Sequence, residues 1–315
     1  MRFRFLPRPD LLRKPALVLA MLIPIGATAA ATAWLSPNQV DHPLAGVIVD
    51  ARGKVVPESA LLSALASARF AFIGEKHDNP DHHRIEGRLI AHRLAGKPGS
   101  AVVFEMLDDA QRPLLGQLAA GDDLETMKNK LAWPAKGWDF ATYGPLFQAS
   151  LAGGTLVAGN IGKELIGRLY EGGEAPLEGA PRFKTVFSAS PETRKYLLDS
   201  IFEAHCGMRE RSSLAPMVAI QLAKDASMAN AMAGQASALL IAGGQHVRAD
   251  SGVPSHLLTL EAGVRRVVIQ LVEVVAGESR TGAYIERAGP ADFYWLTPGT
   301  APKDYCADVK GRAAG

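Results

Sequence analysis

The residues with the clearest chemical potential are carboxylates and histidines that come directly after short apolar runs. FIGEKH places Glu75 and His77 after one run, VVFEM places Glu105 after a second, and GGQH places His246 after another. Two imidazoles and two carboxylates can hold a divalent metal that accepts both nitrogen and oxygen ligands. The same four groups could act as a general base and its orienting partner in a hydrolase. Glu75, His77, Glu105 and His246 are therefore the predicted metal or catalytic residues.

Two more histidines, His82 and His83, follow closely in DNPDHH. Asn79 is predicted to cap a helix whose first residue is Pro80, so both histidines fall in the first helical turn. Neighbouring helical residues point about 100° apart, so the two rings cannot easily ligate one ion. A direct role for one of them and a solvated helix turn are both left open. The histidines predicted to lie at the surface are His42, His92 and His256.

The wider pattern supplies the elements that must position these side chains. Apolar runs at 69–75, 100–106, 155–160, 238–246, 265–275 and 292–297 alternate with longer amphipathic stretches. Nearly continuous apolar strands alternating with helices predict an α/β fold, with a mostly parallel β-sheet and helices on both faces. Ligands of such sheets bind beyond the carboxyl ends of the strands. The four candidate residues should therefore converge, although about 170 positions separate the first from the last.

The predicted domain boundaries follow from the same pattern. Residues 34–68 form an N-terminal segment, 69–300 the α/β domain and 301–315 a tail. About 75 residues separate the third and fourth predicted strands. This is too long for a single crossover helix, so a helical insert or cap is predicted over about 163–235.

Residues 1–33 have the character of an export signal. Five basic residues precede an apolar stretch that ends in small residues. An uncleaved anchor, and hence membrane association, is the alternative, because the stretch approaches the roughly 20 residues that span a bilayer. Without this segment, 29 basic and 31 acidic residues remain, which leaves no basic excess for nucleic acid. We expect an exported, periplasmic protein.

The chain has two cysteines, Cys206 and Cys306. In an exported protein, two cysteines most simply form one disulfide. A free Cys206 acting as a ligand is the alternative. Neither cysteine lies near the end of the leader, so a lipid-anchored cysteine is not expected.

The paired motifs resemble a known superfamily. GEKH at 74–77 and GGQH at 243–246, with Glu105 on a neighbouring strand, are similar to the Tiki/TraB/erythromycin-esterase superfamily. The wider set FIGEKHDNPDHH, VVFEM, YGPLF, VAGN, CGM, AKDASMA and GGQHVR resembles, more narrowly, the ChaN family over roughly residues 70–250. Members of that family are often lipoproteins, and the missing lipid-anchor cysteine departs from this pattern.

The resemblance implies a haem-binding protein of iron acquisition. It implies a homodimer in which two haems stack between the subunits, with the iron held by a tyrosine and the propionates by a histidine and a lysine. Tyrosinate as an axial ligand favours ferric iron. The candidate tyrosines are Tyr143 and Tyr170, and the candidate propionate contacts are Lys76, Lys163 and His77.

The resemblance also leaves a second function open. Relatives in the superfamily use the strand-end residues for hydrolysis, with or without a divalent metal. The alternative to haem binding is therefore an esterase or peptidase.

Overall fold

The computed structural model describes residues 33–304 and 306–307. The predicted leader, apart from Ala33, and most of the predicted tail lie outside these residues. Within them, eight strands form one sheet. They are β1 (Ile48–Asp50), β2 (Val55–Val56), β3 (Phe70–Glu75), β4 (Ala101–Phe104), β5 (Thr155–Ala158), β6 (Ala238–Gly243), β7 (Arg266–Glu273) and β8 (Phe293–Thr297).

The strand order is β2-β1-β8-β7-β3-β6-β4-β5. The six strands from β8 to β5 are mutually parallel, and β1 and β2 add an antiparallel edge. The predicted mostly parallel sheet is confirmed. The hairpin of β1 and β2 was not predicted, because the segment 34–68 carries only very short apolar runs.

Nine α-helices lie in the described part of the chain. They are α1 (Glu58–Ser67), α2 (Pro80–Gly96), α3 (Leu124–Lys130), α4 (Phe140–Leu151), α5 (Lys163–Gly172), α6 (Pro191–Ala204), α7 (Ala215–Met232), α8 (Val253–Leu260) and α9 (Thr281–Ala288). The Asn79 side chain accepts hydrogen bonds from the backbone N–H groups of Asp81 and His82, which confirms the predicted cap of α2.

Helices cover both faces of the sheet, as predicted. Residues of α1, α2 and α4 form a core with one face, and residues of α7, α8 and α9 form a core with the other. Along β3, Ala71 and Ile73 face the first core, whereas Phe70 and Phe72 face the second. This alternation, which follows from the two-residue period of a strand, decides the side on which each strand-end residue emerges.

The predicted insert has a core of its own. Residues of α5, α6 and α7 and of the 3-10 turn Pro181–Ser188 pack together there. The end of α7 instead reaches under the sheet through Met228 and Met232. The insert is thus a helical layer that continues into the main fold.

One surface prediction was wrong. His256, on α8, is only 3% exposed, and its Nδ1 lies 2.8 Å from Oγ1 of Thr185. It is buried because α8 packs against the 3-10 turn of the insert. His42 and His92 are partly exposed.

Cys206 and Cys306 form a disulfide, as predicted. The bond joins Cys206, two residues after the end of α6, to Cys306 in the chain beyond β8. In the chain-entropy view, a closed loop of about 100 residues stabilises the folded state by roughly 4–5 kcal/mol. Within the described ranges, no helix is both long and apolar enough to cross a bilayer.

Candidate functional site

The predicted residues do meet at the carboxyl edge of the sheet, but on two sides of it. Glu75 continues the alternation of Ala71 and Ile73 and so faces α2 and α4. Glu105 continues the alternation of Ala101 and Val103 and so faces α7. Strand geometry therefore gives each carboxylate its own surroundings.

The α2-side cluster consists of Glu75, His77, His83, Glu86 and Tyr143. Oε1 of Glu75 accepts a hydrogen bond from the Tyr143 hydroxyl at 2.8 Å and lies 2.8 Å from Nδ1 of His77. Nδ1 of His83 lies 3.3 Å from Oε2 of Glu75 and 3.1 Å from Oε2 of Glu86. Glu75 is thus shared between a tyrosine and two histidines.

Burial controls the protonation of this cluster. Together with the charge of Glu75, burial raises the pKa of Glu86 to about 8. Burial and the same carboxylate raise the pKa of the Tyr143 hydroxyl, which stays neutral and donates to Glu75. For His77, burial lowers the pKa, but the hydrogen bond and charge of Glu75 outweigh it and the net direction is upward.

The two neighbouring histidines of α2 do point to different places. Nδ1 of His82 accepts a hydrogen bond from the backbone N–H of Lys76, and its Nε2 lies 2.9 Å from Oγ1 of Thr297. Burial holds the pKa of His82 well below its usual range. His82 therefore braces the loop after β3, whereas His83 belongs to the α2-side cluster.

The α7-side cluster consists of Glu105, Lys224, Asp225 and His246. Nδ1 of His246 lies 2.5 Å from Oδ1 of Asp225, and its Nε2 lies 3.3 Å from Oε1 of Glu105. Oε2 of Glu105 accepts a hydrogen bond from the Gly243 N–H at 2.9 Å. Nζ of Lys224 lies 3.8 Å from Oε1 of Glu105.

His246 is an imidazolium in this setting. Burial lowers its pKa, but the carboxylates of Glu105 and Asp225 outweigh this and raise the pKa to about 10. Burial raises the pKa of Glu105, yet the charge of His246 holds it well below its usual range. In this protonated state, both nitrogens of His246 donate to carboxylates.

His77 lies between the two clusters. Its Nδ1 faces Glu75, and its Nε2 lies 3.9 Å from Oε2 of Glu105. Its ring centroid lies 4.5 Å from that of Trp138, and its side chain is 35% exposed. A Cβ on residue 243 would lie only 2.8 Å from Nε2 of His77. The His77 ring therefore has room at this place only because residue 243 is a glycine.

A cavity of about 1050 Å³ opens beside His77 and His246. One wall is a helical stripe of α6 with the spacing i, i+3, i+4 and i+7, formed by Leu197, Ser200, Ile201 and Ala204. Another wall is the end of β7 and the residues after it, 270–276. The chain at 300–303 forms a third, and the disulfide ties this segment to the end of α6.

Of the residues suggested for haem, Lys76 and His77 line this cavity. Tyr143 is 1% exposed, its hydroxyl donates to Glu75, and it is not among the residues that line the cavity. Nζ of Lys76 lies 3.1 Å from Glu273 and 3.2 Å from Asp78. Tyr170, 48% exposed, and the exposed Lys163 lie on α5, none of whose residues lines this cavity.

Four residues in or beside the site were missed from the sequence: Glu86, Lys224, Asp225 and Tyr196, whose hydroxyl donates to the lining residue Gln245. Glu86 had a local signal, because residues three apart on a helix are neighbours and it follows His83 by three. The other three lie on α6 and α7, and only tertiary packing brings those helices to the strand ends.

The chain is similar to known proteins in both sequence and fold. A family model described as "Haem-binding uptake, Tiki superfamily, ChaN" matches residues 61–257, well over half of the chain. No curated protein matches it.

Among solved structures, "Cofacial heme binding to ChaN of Campylobacter jejuni" aligns with a TM-score of 0.66 and 23% identity, over 80% of this chain and 97% of that one. The type III effector HopBA1 aligns with a TM-score of 0.43 and 12% identity, over 82% and 100% of the chains. A Bacillus cereus protein aligns with a TM-score of 0.38 and 12% identity, over 78% and 91%.

Proposed function

Because the chain belongs to the ChaN family of haem-binding uptake proteins in the Tiki superfamily, we propose that it binds haem in the cavity at the carboxyl edge of its sheet. The observation that carries this proposal is the size and place of the cavity. At about 1050 Å³ it lies at the upper end of the roughly 300–1,000 Å³ that small-molecule sites occupy. It also opens where ligands of parallel sheets bind.

The lining suits the two halves of the haem molecule. A porphyrin presents apolar faces, which Leu197, Ile201 and Val272 can cover, and two propionates, which need cations. Arg287 and Lys303 line the same cavity and supply positive charge. Haem would bind as cargo, with the protein supplying the axial ligand, the apolar walls and the counter-charges.

Accessibility narrows the choice of axial tyrosine. Among the described tyrosines, Tyr143, Tyr284 and Tyr294 are at most 1% exposed. Of the remaining two, Tyr196 lies beside the cavity, because its hydroxyl donates to the lining residue Gln245. The Arg248 guanidinium lies 4.2 Å from the Tyr196 ring centroid. Tyr196 is the proposed ligand, and Tyr170 is the alternative on α5.

A hemin titration followed in the Soret region tests this assignment. We expect Tyr196→Phe to weaken binding by about tenfold or more and to shift the ferric spectrum, because the variant lacks the phenolate oxygen that would ligate the iron. Tyr143→Phe is the matched control, since it removes a buried hydroxyl outside the cavity. If Tyr170→Phe weakens binding and Tyr196→Phe does not, haem binds on the α5 surface instead.

The proposal extends to a homodimer and to export. The Campylobacter jejuni ChaN structure is described as binding haem cofacially, which supports pairing of two haem-loaded chains. The disulfide suits an oxidising compartment such as the periplasm. Light scattering with and without hemin tests the homodimer. Determining the N-terminal residue of the mature protein tests export.

A hydrolase is the second candidate function, and the His77–Glu75 pair favours it. Glu75 orients Nδ1 of His77, so Nε2 faces the cavity and could take a proton from water. His246, held by Glu105, would supply positive charge to a developing oxyanion. A pH-dependent esterase rate lost in His77→Ala would support this function. An unchanged rate in that variant would exclude it.

A further inference from the structure

Three buried side chains between β3 and α2 bring their polar atoms together, and of the three only Glu75 also lines the cavity. Nδ1 of His83 lies within 3.3 Å of carboxylate oxygens of both Glu75 and Glu86. One ligand atom from each of the three residues lies within 4.8 Å of the other two. Both carboxylates are buried, and the His83 side chain is 11% exposed.

The hydrogen bonds around His83 leave one position in this trio that a proton or a metal ion must fill. Nε2 of His83 lies 3.1 Å from the backbone oxygen of His77, which can only accept, so Nε2 must carry a hydrogen. If the His83 ring is neutral, Nδ1 then carries a lone pair, and this lone pair faces the carboxylates of Glu75 and Glu86. Three acceptors directed at one another in the interior require a proton or a metal ion among them.

The carboxylates also carry unused oxygens. Oε1 of Glu75 is occupied by Tyr143 and His77, whereas Oε2 has no hydrogen-bond partner among the described residues. Oε1 of Glu86 has none there either. A buried carboxylate oxygen without a partner costs about 1–3 kcal/mol or more, so such atoms point to a missing ligand.

We propose that Glu75, His83 and Glu86 bind a divalent first-row transition ion, such as Zn²⁺ or Mn²⁺. One imidazole and two carboxylates are suitable ligands for these ions, and three protein ligands leave a coordination position open. The ion would occupy the place that a proton must otherwise fill. The site lies on the α2 side of the sheet and does not depend on haem binding.

The ion would also position the cavity-facing histidine. Glu75 would give Oε2 to the metal while Oε1 keeps its contacts with His77 and Tyr143. The Glu75 carboxylate would then connect the metal to His77. His77 would be an outer hydrogen-bond partner of a metal ligand, an arrangement that is common in metal sites. Glu86 and His83 act on His77 only through Glu75, so they are positioning residues.

Metal binding to the chelator-treated full chain tests the proposal. Titration calorimetry with Zn²⁺ or Mn²⁺ should give one ion per chain and a rise in Tm, because only the folded state assembles the trio. Glu86→Gln should weaken binding by about 100-fold or more, since the amide keeps the shape but loses the charged ligand. Glu203→Gln, a change at an exposed carboxylate of α6, is the control and should leave the affinity unchanged.

Two results would overturn the proposal. One is the absence of stoichiometric binding by the wild-type chain to both ions. The other is loss of binding in Glu105→Gln with retention in Glu86→Gln, which would place the ion among Glu75, His77, Glu105 and His246. An electron paramagnetic resonance spectrum of the Mn²⁺-loaded wild-type protein needs no variant: if bound Mn²⁺ shows no nitrogen coupling, His83 is not a ligand.

Discussion

His246 has a carboxylate against each ring nitrogen, and this arrangement decides what the side chain can do. Asp225 lies 2.5 Å from one nitrogen and Glu105 lies 3.3 Å from the other. Both nitrogens donate, so the ring is a fixed positive charge at neutral pH. His77, in contrast, has one nitrogen directed away from its carboxylate and towards the cavity. At the same edge of the sheet, one histidine supplies charge and the other a free ring nitrogen.

The charge on His246 predicts a specific pH dependence of stability. Its pKa is about 10 in the folded chain and 6.5 in an unfolded one. The stabilisation is therefore fully present below pH 6.5 and is lost as the pH rises through about 10. We expect His246→Gln to leave two buried carboxylates without their cation and to cost about 3–5 kcal/mol at pH 6.5.

Urea denaturation at several pH values, with the disulfide intact, measures this effect. The difference in free energy of unfolding between the wild type and His246→Gln should shrink from pH 6.5 to pH 10. His92→Gln, a change at a partly exposed histidine of α2, is the control. A difference that is independent of pH would mean that His246 is not charged in the folded state.

At the scale of elements, the cavity is built from parts that are distant in sequence. The stripe of α6 faces the end of β7 and the chain at 300–303. Cys206 follows α6 directly, and Cys306 follows the third wall. The disulfide therefore fastens two walls of the cavity to each other, in addition to restricting the unfolded chain.

Removing this link should affect both stability and binding. We expect Cys206→Ser/Cys306→Ser to lower the free energy of unfolding by roughly 4 kcal/mol, because a loop of about 100 residues is released. We also expect about tenfold weaker hemin binding, since the segment 300–303 would no longer be held against α6. Denaturation and hemin titration of the double variant measure the two effects. Unchanged hemin affinity in a destabilised variant would show that the third wall does not contact the ligand.

The sequence predicted the strand ends well, for a physical reason. A buried parallel strand is a local apolar run, so Glu75, Glu105 and His246 could be placed at one edge without knowing the tertiary structure. Such strands are apolar on both faces, however, so the pattern could not show that Glu75 and Glu105 emerge on opposite sides. The parts contributed by α6 and α7, such as Tyr196 and Asp225, depend on how the insert packs, which no local pattern encodes.

At the scale of the whole molecule, the carboxyl edge of the sheet brings together a cavity and two clusters of ionisable side chains. The cavity is large and has both apolar and polar walls, the α7-side cluster is a largely buried ion network, and the α2-side cluster has unpartnered carboxylate oxygens. The proposed haem binding uses the first of these, and the two clusters set the charge and orientation of the histidines beside it. The account therefore depends most on whether the cavity holds the haem.

A hemin titration of a cavity-filling variant tests that claim most directly. Ser200 lines the cavity on α6, whereas the exposed Glu203 lies on the same helix away from the lining. The wild type should show a saturable Soret change at one haem per chain. Ser200→Trp should weaken binding by about tenfold or more, because the indole fills the haem site, and Glu203→Trp should bind like the wild type. Equal hemin affinity in the wild type and in a folded Ser200→Trp variant would contradict the account.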